Sequence, residues 1–426
     1  MAAFSLLFPL TVSLPTWDQW DMVPVWEAYF TGHRVLPLLF APYNGHFNVI
    51  PRAIFFLVGR MTSWNLGVEV VGAYLLCAAS VCLLVKMLAE WDRRLLLLAA
   101  PFAALAFSFN QYEDLMTGIG LGQHLQNLAE LLTIFWLTRR EPSRNHFLAA
   151  AGSATIATFS WGVGVAAWPV GLIAVATSPG PKTRRVAIWI AGGGAALYAA
   201  QSAADSVDIY TVWSNVAPSF LVLLGNPFAF SAFPSLRTAV LLGAAAFAVF
   251  IVLCVIFWRV PSRRPFLRTW GLVGLLGLAN GGLVAMARST SPLENCLRSH
   301  YITAVFFAGL AILALCSRGL LDLSDTGGGR RKFAALAGLA AVCAFAMSQV
   351  VTVSATGWYP TLSSWAVTVE DNSRKIMAGT ATDQEIRQSH YPKPADVRKY
   401  VEVLRRYRLA AFAEEPGQRG LPGSRP

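Results

Sequence analysis

"TAVLLGAAAFAVFIVLCVIFWRVPSRRPFLR" occupies residues 238–268. Its first 21 residues, 238–258, carry no charge. As a helix rising 1.5 Å per residue they cover about 31 Å, the hydrocarbon thickness of a bilayer. Arg259, Arg263, Arg264 and Arg268 follow at once. An uncharged run of bilayer length closed by arginines reads as a membrane helix that ends on the cytoplasmic side.

The pattern recurs along the chain. Apolar segments fall at 1–14, 66–86, 95–109, 121–138, 147–159, 163–177, 186–203, 238–258, 269–287, 301–316 and 333–351. They predict an all-α polytopic membrane protein with about 11 transmembrane helices, some short or re-entrant. Alternate loops hold 17 Lys and Arg, around residues 86–94, 139–144, 182–185, 259–268 and 318–332. The intervening loops hold six: Arg34, Arg52, Arg60, Arg237, Arg288 and Arg298. The alternation predicts a bacterial plasma-membrane protein with its N-terminus cytoplasmic and its C-terminus extracytoplasmic. Segment 1–14 lacks a basic lead and is short for a crossing; it suits a short first span or a chain begun further upstream. The pair 147–159 and 163–177 has basic flanks on both sides, so the chain must return to the side it left. "FLVLLGNPFAFSAFPSLR" (220–237) reads as re-entrant or interfacial.

Composition agrees. The chain is 55% hydrophobic and 13% charged, against about 25% charge in soluble domains. Its net charge of +11 is therefore the signature of topology, and no nucleic-acid partner is implied. The six cysteines form no CxxC pair, and neither a disulfide framework nor a zinc site is read from them. The organisation expected is a transmembrane domain over 1–352, with a first outer loop at 15–65, and an extracytoplasmic tail over 353–426. In that tail residues 395–412 have the spacing of an amphipathic helix, and "EEPGQRGLPGSRP" (414–426) reads as disordered.

Polar chemistry collects on the predicted outer side. "WDQWDMVPVWEAYF" (17–30) places Asp18 and Asp21 three residues apart among tryptophans. In a helix both carboxylates share one face. Such a pair serves as a general base, as oxygen ligands for a divalent cation such as Mg or Mn, or as solvated acids in an interfacial tryptophan belt. Asp21 ranks slightly ahead, being closer to the helix-like "VPVWEAYF". His33, Arg34, Asn44 and His46 follow in the same loop, and Glu113, Asp114 and His124 stand at later outer positions. Gln123, Gln126 or Asn127, and Glu130 form a polar stripe down one segment; it either faces a cavity or joins helices by hydrogen bonds. "ARSTSPLENCLRSHY" (287–301) sets Arg288, Arg298 and His300 outside, against the positive-inside trend. Their guanidinium forks suit an anion such as phosphate, or an ion pair with Glu294.

Seven stretches together resemble a broad bacterial family of polytopic membrane proteins. They are "WDQWDMVP" (17–24), "NGHFNVIPR" (44–52), "FSFNQYEDLMTG" with "GQHLQNL" (107–128), "FSWGVGVAAWPVGL" (159–172), "LLGNPF" (223–228), "RSHY" (298–301) and "YPKPADVRKYVEVLRRYRLAAF" (391–412). The chain departs from the family pattern at Gly45 and Phe47, where N-E-H-R is usual, and at His300, where S-R-Y is usual. That family is similar to the GT-C group of integral-membrane glycosyltransferases. The resemblance implies a polyprenyl-phosphate sugar donor bound in the membrane and an extracytoplasmic glycan or lipid acceptor. It implies Asp18 or Asp21 as base or metal ligand, and Arg288, Arg298 or His300 as holders of the leaving phosphate. Two other readings follow from the residues: a lipid or sugar transporter or flippase, and a non-catalytic protein of envelope assembly.

Overall fold

A computed structural model describes residues 2–41, 48–141, 143–178, 182–201, 212–229, 235–326, 337–338 and 353–413. Among these the regular structure is helical throughout. Short helices α1 (Ala2–Leu7), α2 (Val23–Phe30) and α3 (Leu36–Leu39) lead to α4 (Val49–Thr62) and the long α5 (Leu66–Ala89). Next come α6 (Ala99–Ala106), α7 (Tyr112–Met116), α8 (Gly120–Leu137), α9 (Arg144–Thr158), α10 (Ala167–Ala176) and α11 (Thr183–Gln201). The bundle closes with α12 (Trp213–Gly225), α13 (Leu236–Arg259), α14 (Arg264–Ala287) and α15 (Ile302–Thr326).

Among the described residues four helical stretches are long and apolar enough to cross a membrane: Leu66–Ala89, Leu236–Arg259, Pro261–Ala287 and Ser299–Asp325. A fifth arises if Arg93–Ala106 and Phe109–Met116, bent by 41°, count as one crossing. This is fewer than the eleven apolar segments suggest, and the reasons are local. Segment 1–14 forms only the six-residue α1, about 9 Å long, before a short 3-10 turn. Helix α8 carries the polar stripe, α10 has only ten residues, and α11 opens on Arg184 and Arg185. Segment 333–351 lies almost wholly outside the described residues. Helix α13 has the surface expected against lipid: only 22% of its apolar window is buried, and Leu241, Val252 and Trp258 point outward.

The core lies where α5, α8, α9, α10, α14 and α15 meet, around the fully buried Trp270, Phe102, Phe307 and Leu84. The basic loops gather at one end of this bundle. Arg94 pairs with Asp92 and Asp325 at 2.8 Å, Arg263 with Asp322 at 2.7 Å, and Arg139 with Glu90 at 2.8 Å. Arg268 donates to the Leu137 and Ala174 carbonyls at 2.9 and 3.0 Å, capping the ends of α8 and α10. Helix α9 leaves this end and α10 returns to it, turning at residues 159–166, where Trp168 Nε1 donates to the Thr158 hydroxyl at 3.0 Å. The short α12 packs on the upper part of α13, and Asn226 donates to the Leu297 carbonyl at 3.0 Å.

At the opposite end the first loop and the tail share a second core. The tail helix Pro394–Tyr407 buries Val397, Val401 and Leu404, the face its spacing predicts. Helices Tyr359–Ala378 and Asp383–Ser389 precede it, and the first buries Leu362, Ala366, Val369 and Ile376 along one face. Trp20 stacks on Tyr400 at 6.5 Å and Phe30 on Tyr407 at 4.4 Å. Ser13 donates to Glu370, and the Ala410 amide donates to the Ser63 carbonyl at 3.0 Å. The segment 414–426 lies outside the described residues.

Helices α12 and α13 touch backbone to backbone. A Cβ at Gly243 would lie 1.9 Å from the Leu221 carbonyl oxygen, so only glycine permits this approach. Gly243→Val is expected to cost about 1–3 kcal/mol by overpacking and to lower the melting temperature of the detergent-solubilised protein. Gly194→Val, whose Cβ meets nothing within 4 Å, is expected to leave it in place. Equal melting of the two variants would contradict this packing.

Candidate functional site

A cavity of about 1020 Å³ opens at the end of the bundle remote from the arginine–carboxylate cluster. That is ample for a small ligand, since ligand pockets commonly run to about 300–1,000 Å³. Its wall brings together six residues singled out from the sequence: Asp18, Glu113, Asp114, Arg288, Arg298 and His300. They come from the first loop, α7, the end of α14 and the 288–301 turn. Leu283, Val284, Val163 and Val165 supply an apolar flank, so the wall is amphipathic.

The acids are held in different ways. Asp18 lies in a 3-10 turn, Trp17–Met22, that opens on a capping box between Thr16 and Gln19. Gln19 donates to Glu69 at 2.9 Å, and Trp64 Nε1 donates to the same carboxylate at 2.8 Å. This buried knot fixes the turn to the first turn of α5. Trp17 adopts φ 47°, a left-handed conformation costly for a bulky residue. Its amide donates to the His390 carbonyl at 2.5 Å, which holds it there. A 3-10 turn eclipses i and i+3, so Asp18 and Asp21 share a face as expected. Both border a small cavity of about 40 Å³ with Arg52 and Asn48. Their paths then part. Asp18 reaches the large cavity, whereas Asp21 accepts a 3.1 Å hydrogen bond from the Tyr391 hydroxyl in the tail. Burial, with Asp21 alongside, pushes the Tyr391 phenol up and keeps it a neutral donor. Asp18 thus faces the large cavity, whereas Asp21, slightly ahead by sequence, is engaged by the tail.

Glu113 is tied to the opposite wall. Its Oε2 meets His300 Nδ1 at 2.7 Å and accepts from the His300 amide and the Ser299 hydroxyl at 3.1 Å each. Asp114 is buried, and its carboxylate accepts from the Thr303 hydroxyl. With the Gln123 amide oriented to satisfy its neighbours, it donates to Asp114 at 2.6 Å. Gly120 allows this turn, since a Cβ there would lie 1.8 Å from the Asp114 carbonyl oxygen. Arg288 lies over the Tyr301 ring at 5.6 Å. Among the described residues neither Arg288 nor Arg298 forms a salt bridge, with Glu294 or any other acid.

The remaining sequence candidates that the structure describes do not line the large cavity. His33 and Arg34 are exposed beyond α2, with the His33 ring bonded to the Thr31 hydroxyl at 2.8 Å. His124 is buried on α8 away from the cavity wall. Asn44 and His46 lie outside the described residues. Among the described residues no three His, Cys, Asp or Glu side chains are grouped to hold a metal ion. The structure adds Trp17, Tyr112, Gln123, Trp161, Tyr301 and Trp365 to the wall. Gln123 was visible as the head of the polar stripe and Trp161 within "FSWGVG". Trp365 comes from a tail helix that no sequence signal connects to the site.

No protein-family model, no curated protein and no solved structure matches this chain. The chemistry of the cavity therefore carries the functional reading.

His390 links the tail to this site through Trp17. Its ring is buried between the Ser373 hydroxyl, at 2.9 Å from Nε2, and the Ser389 hydroxyl, at 2.7 Å from Nδ1. Burial lowers its pKa from 6.5 to about 4. Between these values the unfolded chain binds the extra proton. Stability is thus full above pH 6.5, falls as the pH drops, and has lost its whole contribution near pH 4. A shift of this size amounts to about 3 kcal/mol. Hydrogen exchange of the tail helices is expected to accelerate across this window, and His390→Asn is expected to flatten the dependence. An unchanged slope in the variant would contradict the assignment.

Proposed function

We propose that this protein is a membrane glycosyltransferase that moves a sugar from a polyprenyl-phosphate donor to a hydroxyl of a glycan or lipid acceptor. One observation carries the reading. Asp18 and two arginines without salt bridges among the described residues line one amphipathic cavity at the end of a bundle of membrane-length helices. A lipid-linked sugar phosphate asks for this combination: an apolar flank for isoprene, cations for phosphate and an acid near the sugar.

In this reading Asp18 accepts the proton of the acceptor hydroxyl. The acceptor oxygen forms a bond to the anomeric carbon as the bond from that carbon to the phosphate oxygen breaks. The electron pair leaves with the polyprenyl phosphate, whose charge Arg288 and Arg298 offset. Glu113 orients His300, whose ring adds a hydrogen bond on the phosphate side. No step passes through a metal; Asp18 and Asp21 are the residues that would hold one. The positive-inside rule puts the arginine–carboxylate end in the cytoplasm and the cavity on the outer face of a bacterial plasma membrane. Nucleotide sugars are absent there, so a lipid-borne donor suits the site. The finer architecture, a GT-C-like chain with about 11 crossings, belongs to the same proposal.

A transport reading has one observation in its favour. Glu130 is buried in the bundle, with its carboxylate accepting from Asn280 at 2.9 Å between α8 and α14. An acid at that depth is costly in a protein that needs no path through the membrane.

The test is sugar transfer by the purified protein in lipid nanodiscs, from a panel of polyprenyl-phosphate sugars. Asp18→Asn is expected to lower kcat by about 10²–10⁴-fold, the usual worth of a positioned base. Arg288→Gln and Arg298→Gln are expected to raise the donor KM about tenfold each, about 1.4 kcal/mol apiece. Asp21→Asn is expected to affect stability more than turnover. Full transfer by Asp18→Asn would overturn the assignment of the base. Failure of the wild-type protein to turn over any donor, together with counterflow of an intact donor, would replace the proposal with transport.

A further inference from the structure

A second cavity, of about 470 Å³, lies at the arginine end of the bundle. It is bordered by the C-terminal ends of α5 and α8 and the start of α9. Nothing in the glycosyltransferase reading uses it. Its chemistry is specific. The Arg140 guanidinium lies over the Trp91 ring at 5.4 Å and, among the described residues, forms no salt bridge. Arg139 and Lys86 both lie over the Phe135 ring, at 4.8 and 5.2 Å. Arg139 is neutralised by Glu90, which it meets at 2.8 Å through both carboxylate oxygens. The first turn of α9, capped by Ser143, adds the positive pole of a 15-residue helix. Glu141 is an exposed acid at the rim.

Arginines at these positions would be needed in any case to meet helix C-termini and to satisfy topology. Those needs do not call for a cavity, nor for aromatic faces beneath the cations. A guanidinium braced on indole is pre-set to receive phosphate. The end of a membrane-length helix lies at headgroup depth, where Trp91 and Trp136 are also at home.

We propose that this cavity binds the headgroup of an acidic phospholipid. The phosphate is held by Arg140 and the α9 N-terminus, and a headgroup hydroxyl donates to Glu141. Basic pockets between membrane helices recognise lipid phosphates in this manner. The Arg139–Glu90 pair is the side wall and stays closed. The site tethers the α8–α9 turn to the lipid surface.

Native mass spectrometry of the full chain tests this, after release from nanodiscs of phosphatidylcholine doped with phosphatidylglycerol. The wild-type protein is expected to retain one phosphatidylglycerol in preference to phosphatidylcholine. Arg140→Gln, at an exposed position that folding does not need, is expected to weaken retention about tenfold. Arg184→Gln removes the same charge from the start of α11 and is expected to leave retention unchanged. Equal retention by Arg140→Gln and the wild type would overturn the site. Equal losses in both variants would also overturn it, by showing attraction without a pocket. Displacement of the lipid by millimolar inorganic phosphate would overturn the lipid source and leave a site for a soluble anion.

Discussion

Glu113 joins α7 to the 299–301 turn at the cavity wall. Its carboxylate gathers the Ser299 hydroxyl, the His300 amide and the His300 ring, while its own amide donates to Ser299 at 3.0 Å. These contacts close a separation of nearly two hundred residues and pin α7 to the start of α15. Asp114, one residue on, repeats the clasp one turn deeper through Thr303. Asn215 and Asn226 hold the body of the 288–301 turn through the Ser289 and Leu297 carbonyls, and the Glu113 clasp sets its far end, where His300 stands beside the acids. Charge-assisted hydrogen bonds to a carboxylate are worth roughly twice neutral ones, so the connection suits a turn that carries cations at a cavity wall.

A second constraint acts on the other wall. The 3-10 turn of Asp18 is clamped beneath by Glu69 and above by the tail, through His390 and Tyr391. The tail is therefore part of the frame that aims Asp18, and Trp365 extends it into the cavity wall. Asp21 completes the clamp. Two acids three residues apart thus sit in different surroundings: Asp18 borders the large cavity and Asp21 meets the Tyr391 phenol.

Much of this was legible in the sequence, and the limits have physical causes. The membrane-length helices at 66–89, 236–259 and 299–325 follow from uncharged runs, a signal that depends on composition alone. The convergence of the basic loops at one end follows from charge alternation. Asp18, Glu113, Asp114, Arg288, Arg298 and His300 stood out because acids, imidazoles and arginines are unneeded for topology on that side. The apolar runs alone do not set the number of crossings, since short ones such as 163–177 form helices of about ten residues, below membrane length. The hydrogen bond of Asp21 comes from Tyr391, some 370 residues away, and no local pattern encodes that contact. Trp365 and Thr303 escaped for the same reason: each lies on an ordinary helix face whose importance comes from what packs against it.

The account turns on whether phosphate and sugar meet in this one cavity. The direct measurement is a cryo-electron microscopy structure of the protein in nanodiscs with a polyprenyl phosphate bound. The account predicts phosphate density within hydrogen-bonding distance of Arg288 or Arg298, with the isoprene chain along Leu283 and Val284 and Asp18 across the cavity. Phosphate density elsewhere, or a tunnel running from this cavity to the arginine end, would contradict it.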